Sequence, residues 1–130
     1  MPDANKRVHP KALPNYQHAE LPREKMEGYA LNSTHVALQP RGADGKDKAR
    51  VFKSVLGFDE TNCDVLRQRI LDELPFHEAV FEAERSQYGK AYRVDVPILG
   101  LNGNMANVRT AWLIRAGEDH PTLITLRVLL

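Results

Sequence analysis

"AYRVDVPILGLNGNMANVRTAWLIR", residues 91–115, holds two alternating runs separated by an Asn-Gly pair. In the first run Tyr92, Val94, Val96 and Ile98 fall on one side, and Arg93 and Asp95 on the other. In the second, Val108, Thr110, Trp112 and Ile114 oppose Arg109, Ala111, Leu113 and Arg115. A period of two is that of a half-buried strand, and Asn102-Gly103 between two such runs is a hairpin signal. The stretch therefore predicts two long antiparallel strands with one apolar and one polar face.

Working outward, "TLITLRVLL" after the turn "AGEDHP" reads as a further strand. Its alternation sets Ile124, Leu126 and Val128 against Leu123, Thr125, Arg127 and Leu129. A short strand is expected near residues 78–84. Before Pro75 the period changes to that of a helix. Cys63, Leu66, Ile70 and Leu74 recur at helical spacing, with Thr61 and Asp64 as the opening signal. An earlier helix is expected to begin between Asp44 and Lys48 and to stop at Gly57, and another to run from Pro22 to about Leu31. Residues 1–20 carry Pro2, Pro10 and Pro14 and read as a flexible arm or linker. The expected fold class is α+β: N-terminal helices packed on a C-terminal antiparallel sheet of about four strands, forming one domain over residues 21–130.

The 130 residues suffice for one ordinary core. A hydrophobic fraction of 42% and a charged fraction of 27% are those of a globular protein. No apolar run approaches the ~20 residues of a membrane span. "MPDANKRVHPKALPN" has no apolar core of a signal peptide. The single cysteine, Cys63, excludes an internal disulfide and a cysteine-based zinc cluster. A net charge of +1 means that any anion site must be a local patch.

One such patch is the stretch "GADGKDKARVFKSVLGF", residues 42–58. On a helix Lys46, Arg50 and Lys53 share a polar face, while Lys48 falls in line with Phe52 and Val55 on the apolar side. A first-turn cation opposes the helix dipole unless an anion is present. Lys48 thus either snorkels along Phe52 to water or sits beside a bound phosphate. A second patch is the polar side of the sheet, which would gather Arg93, Asp95, Arg109, Arg115, Thr125 and Arg127. That combination suits phosphate contacts, and plain solvent exposure accounts for it equally. Tyr88-Gly89 reads as a turn whose hydroxyl could reach the same face. His35 lies in the loop before Lys48, as a polar loop residue or folded back upon that lysine. No nucleotide-binding GxGxxG, Walker loop, GxSxG elbow or histidine–carboxylate metal spacing occurs.

Taken in order, "LPNYQHAELPREKMEGYALNSTH", "GKDKARVFKSVLGF", "YGKAYRVDVPILGLNG" and "VRTAWLIRAGEDHPTLIT" resemble a family of small bacterial domains. That family occurs free-standing and at the C-termini of contact-dependent inhibition effectors and other polymorphic toxins. The matching positions are His35, Gly45, Lys48-Ala49, Phe52, Tyr88-Gly89, Arg109-Thr110-Ala111-Trp112 and Thr125. The chain departs from the pattern in "VALQPRGAD", a longer insertion between His35 and Gly45.

Helices followed by an antiparallel sheet is also the architecture of the barnase–EndoU–colicin–RelE ribonuclease group. The resemblance implies a metal-independent endoribonuclease toxin, needing no cofactor, that cleaves RNA, with tRNA the expected substrate. Its implied catalytic residues are His35 as base or acid, Lys48 and Arg109 as phosphate stabilisers, and Thr125 to orient the phosphate. Lys46, Tyr88, Thr110 and Arg127 are the expected substrate contacts, with Thr110 replacing Thr125 if the sheet faces the other way. It further implies a cognate immunity protein, delivery by a larger effector or secretion system, and action in the cytoplasm of a target cell. The alternatives are a non-enzymatic RNA- or protein-binding module on the same cationic face, and a DNA nuclease. Against the latter stands the lack of a carboxylate–histidine metal cluster in the sequence.

Overall fold

The structure, a computed structural model, describes residues 7–26, 49–85 and 87–130. Four strands, β1 (Ala79–Arg85), β2 (Gly89–Leu99), β3 (Met105–Arg115) and β4 (Thr122–Val128), form one antiparallel sheet in chain order. The class is α+β, with the helices N-terminal to the sheet.

Alternation decides which face the helices cover. Val94, Val96 and Ile98 of β2, Val108 and Trp112 of β3, and Leu126 and Val128 of β4 are buried on one side. They meet Phe52, Leu56, Leu66, Ile70 and Leu74 in a single core. Each large side chain so buried contributes roughly 1.5–3 kcal/mol.

A single turn, α1 (Arg23–Lys25), follows Pro22; the expected extension of this helix to Leu31 lies outside the described residues. The next helix, α2, runs through residues 49–51 into a π-helical turn, Phe52–Leu56. It ends at Gly57, whose φ of 78° is the left-handed geometry that glycine adopts without strain. Its apolar side is Ala49, Phe52 and Leu56, all buried, as the periodicity predicts.

The third helix, α3 (Cys63–Glu73), lies against β2 and buries Cys63, Leu66 and Ile70. Its opening differs from the expected Thr61 cap. Asp59 accepts from the Thr61 backbone N–H at 2.9 Å, while the Asn62 side chain accepts from the Asp59 N–H at 2.8 Å. This reciprocal pair starts a 3₁₀ turn, Glu60–Asn62, that leads into α3. Asp64 instead receives Arg23 Nη1 at 3.1 Å and so ties α1 to α3.

The arm expected over residues 1–20 is corrected from residue 7 onward. Leu13 is 1% exposed, within the core. The His9 N–H donates to Pro75 at 2.8 Å, and Lys11 accepts from the Ala79 N–H at 2.8 Å. At its far end the segment pairs alongside β4: Glu20 donates to Pro121 at 2.9 Å and accepts from the Leu123 N–H at 2.8 Å. The prolines leave this segment only a 3₁₀ turn, Tyr16–His18, and a bridge to β4, yet it packs, which is why composition alone misleads.

Candidate functional site

Among the described residues, no helix covers the other face of the sheet. Register lays its side chains in rows. Asp95, Arg109 and Arg127 form one row, and Arg93, Ala111 and Thr125 the next. Ala91 and Leu113 pair in the row beyond. Of the six residues expected on one side, Arg93, Asp95, Arg109, Thr125 and Arg127 fall in these two rows, and Arg115 lies at the far end of β3, opposite Gly89.

A pocket of about 780 Å³ opens on this face. Arg93, Arg109, Thr125 and Arg127 line it at the charged end, and Ala91, Leu113, Ile124 and Tyr88 at the other. Four residues selected from the sequence, Tyr88, Arg109, Thr125 and Arg127, therefore meet in one cavity. Tyr88 is 63% exposed in the turn before β2, beyond the Ala91–Leu113 row and so at the end away from Arg109.

The face is less cationic than its arginines imply. Asp95 grips Arg109 side-on, Oδ1 lying 2.9 Å from Nε and Oδ2 3.0 Å from Nη2. That hydrogen-bonded pair holds the Asp95 carboxyl below its usual value, and the carboxylate raises the Arg109 guanidinium in return. Two of Arg109's five N–H donors are used, leaving the rest for a ligand. Arg93 pairs with Glu82 at 3.3 Å, and Arg115 lies 3.9 Å from Glu118. Among the described residues no carboxylate pairs with Arg127, the cation beside Arg109 across β3–β4.

Two expectations are corrected. Thr110 is not a substrate contact. It is fully buried on the core face, where its hydroxyl donates to the Val94 carbonyl at 2.7 Å and accepts from Trp112 Nε1 at 2.7 Å. Sharing a side with Val108 and Trp112, it cannot also reach the open face.

Ile124 likewise does not share the core side with Leu126 and Val128. The register shifts between Ala111 and Trp112, whose partners are Thr125 and Leu123. Ile124 is the extra residue of this bulge and is 37% exposed in the pocket wall. A strand apolar on both sides gives no signal for such a slip.

The sequence reading also missed Glu82 as the partner of Arg93. Glu82 sits at a second bulge, between Phe81 and Ala83 of β1, which turns it to the open face. His35, Lys46 and Lys48 lie outside the described residues. Among those described, no group of three or more His, Cys, Asp or Glu side chains could hold a metal ion. Nor is any helix among them long and apolar enough to cross a membrane.

With this geometry in place, the chain can be compared with known families. A family model described as a domain of unknown function, DUF6883, covers residues 12–129. The chain belongs to the DUF6883 family. No curated protein matches it. The DUF6883 match begins just before Leu13, in the segment that the structure packs onto the core.

Proposed function

We propose that this DUF6883 domain is a metal-independent endoribonuclease toxin that cleaves RNA, with tRNA as its substrate, in a target bacterium. One observation carries the reading. Tyr88, Arg109, Thr125 and Arg127 come from a turn and two strands, and all line one pocket. Arginine with its fork held in place, next to a second arginine and a hydroxyl, suits a phosphodiester.

The chemistry needs little else. A base takes the proton of a ribose 2′-OH, whose oxygen attacks the adjacent phosphorus. The bond from phosphorus to the 5′-oxygen breaks, and an acid protonates the departing oxygen. Arg109 and Lys48 stabilise the charge that develops on the phosphate, Thr125 orients it, and His35 supplies the proton transfer. The products are a 2′,3′-cyclic phosphate and a 5′-OH. Such a toxin is delivered into the target cytoplasm by a larger effector or secretion system. It is neutralised by an immunity protein whose acidic surface covers the pocket.

A specific observation favours a second reading, a non-enzymatic RNA- or protein-binding module. No histidine is among the described residues that line the pocket, and two of its three arginines already face carboxylates. The two readings separate by product analysis. Total tRNA is incubated with the domain in EDTA and the new ends are mapped. The enzyme yields discrete fragments ending in cyclic phosphate, lost in Lys48→Ala. RNA that is bound but uncut identifies the binding module.

A further inference from the structure

The pocket has two chemically different ends, and phosphate recognition uses only one of them. Arg109 and Arg127 form the charged row. Two residues further along each strand the row is Arg93, Ala111 and Thr125, and two further still it is Leu113 paired with Ala91. At about 3.3–3.4 Å per residue, the charged and apolar rows lie about 13 Å apart. Ala111 between them leaves a low floor, so one ligand can lie along the strands and touch both ends.

The apolar end is built at a cost. The bulge in β4 turns Ile124 out of the core and into the pocket wall, where it is 37% exposed. Tyr88, 63% exposed, lines the same pocket. A sheet face shaped only for solubility would carry polar side chains at these positions. An apolar shelf with an aromatic ring, adjoining an arginine pair, has the chemistry of a nucleobase joined to a phosphate.

We propose that the pocket takes an unstacked stretch of single-stranded RNA. A phosphate lies on Arg109 and Arg127, a base lies on Leu113 and Ile124, and Tyr88 stacks on a base towards the far end. This rests on the reading of the pocket as an RNA site and specifies what that RNA must be. A base inside a duplex is stacked on both faces and cannot enter, so the target is a loop, bulge or end. Tyr88 then serves as a stacking surface and not as a phosphate contact.

The test is fluorescence anisotropy with a labelled single-stranded RNA whose 2′ positions are all O-methylated, so that it cannot be cut. A duplex of the same length and chemistry is the comparison. The single strand should bind at least about fivefold more tightly than the duplex. Tyr88→Ala should remove about fivefold or more of the single-strand affinity without changing its salt dependence, and Ile124→Thr should act in the same direction. Arg127→Ala should weaken binding and reduce the salt slope by about one counterion. Equal binding of both RNAs, with Tyr88→Ala neutral, overturns the proposal, and so does failure to bind either RNA. Preferential single-strand binding without cleavage of the unmodified RNA leaves it standing and removes only the catalytic reading.

Discussion

Asp95 and Arg109 face each other across β2 and β3 and join through two hydrogen bonds, at 2.9 Å and 3.0 Å. The pairing depends on the loop between the strands. Leu99 pairs with Met105, so residues 100–104 form the turn. A two-residue loop at Asn102-Gly103 would have set Asp95 opposite Thr110 and mixed the two faces. The longer loop keeps like faces together and puts the carboxylate where it can hold the guanidinium fork toward the pocket.

The ion pair makes stability depend on acid in a defined direction. Hydrogen bonding to Arg109 holds the Asp95 carboxyl below its unfolded value of about 3.9. Its contribution is therefore complete above that value and is lost as pH falls through the lower folded one. Both side chains are 34% exposed, so solvent screening keeps the contribution of the pair small. Urea midpoints of the wild type and Asp95→Asn should differ at pH 7 and converge as the pH falls through the lowered folded value of Asp95. Asp59, lowered by its bonds to Thr61, loses its contribution in the same window, but equally in both proteins.

The two threonines should separate stability from function. Thr110→Val leaves Trp112 Nε1 buried without its acceptor and should cost about 1–3 kcal/mol, measured by chemical denaturation. Its activity per folded molecule should be unchanged. Thr125→Val, on the exposed side of β4, should lower cleavage of tRNA by more than any loss of folded protein accounts for.

Gly89 is the position where a small change should do the most damage. Its φ is +123°, and a Cβ there would lie 1.9 Å from the Ile114 carbonyl oxygen and 2.7 Å from Arg115 Cα. Neither backbone atom can withdraw without opening the β2–β3 ladder. Gly89→Ala should cost about 3 kcal/mol or more, seen as a lowered Tm.

Strand faces were the most legible part of the molecule, because alternation in residues 91–115 is strict and each face is chemically distinct. The gathering of Arg93, Asp95, Arg109, Thr125 and Arg127 followed directly from it. Bulges were not legible. Glu82 and Ile124 reach the open face only through register shifts in β1 and β4, and neither strand has the strict alternation that would betray a slip. The packing of residues 7–20 was hidden for another reason: its bonds run to Pro75, Ala79, Pro121 and Leu123, far along the chain. Local composition carries no sign of distant partners.

The most direct test of the central claim is single-turnover cleavage of tRNA in EDTA by the wild type and by Arg109→Ala, each first shown to be folded. Removing one preorganised donor from a phosphate-stabilising site should slow cleavage by about 10²–10³. Wild-type cleavage at a measurable rate, with that loss in Arg109→Ala, is the predicted result. Less than a tenfold loss, or tRNA left intact by the wild type, would contradict it.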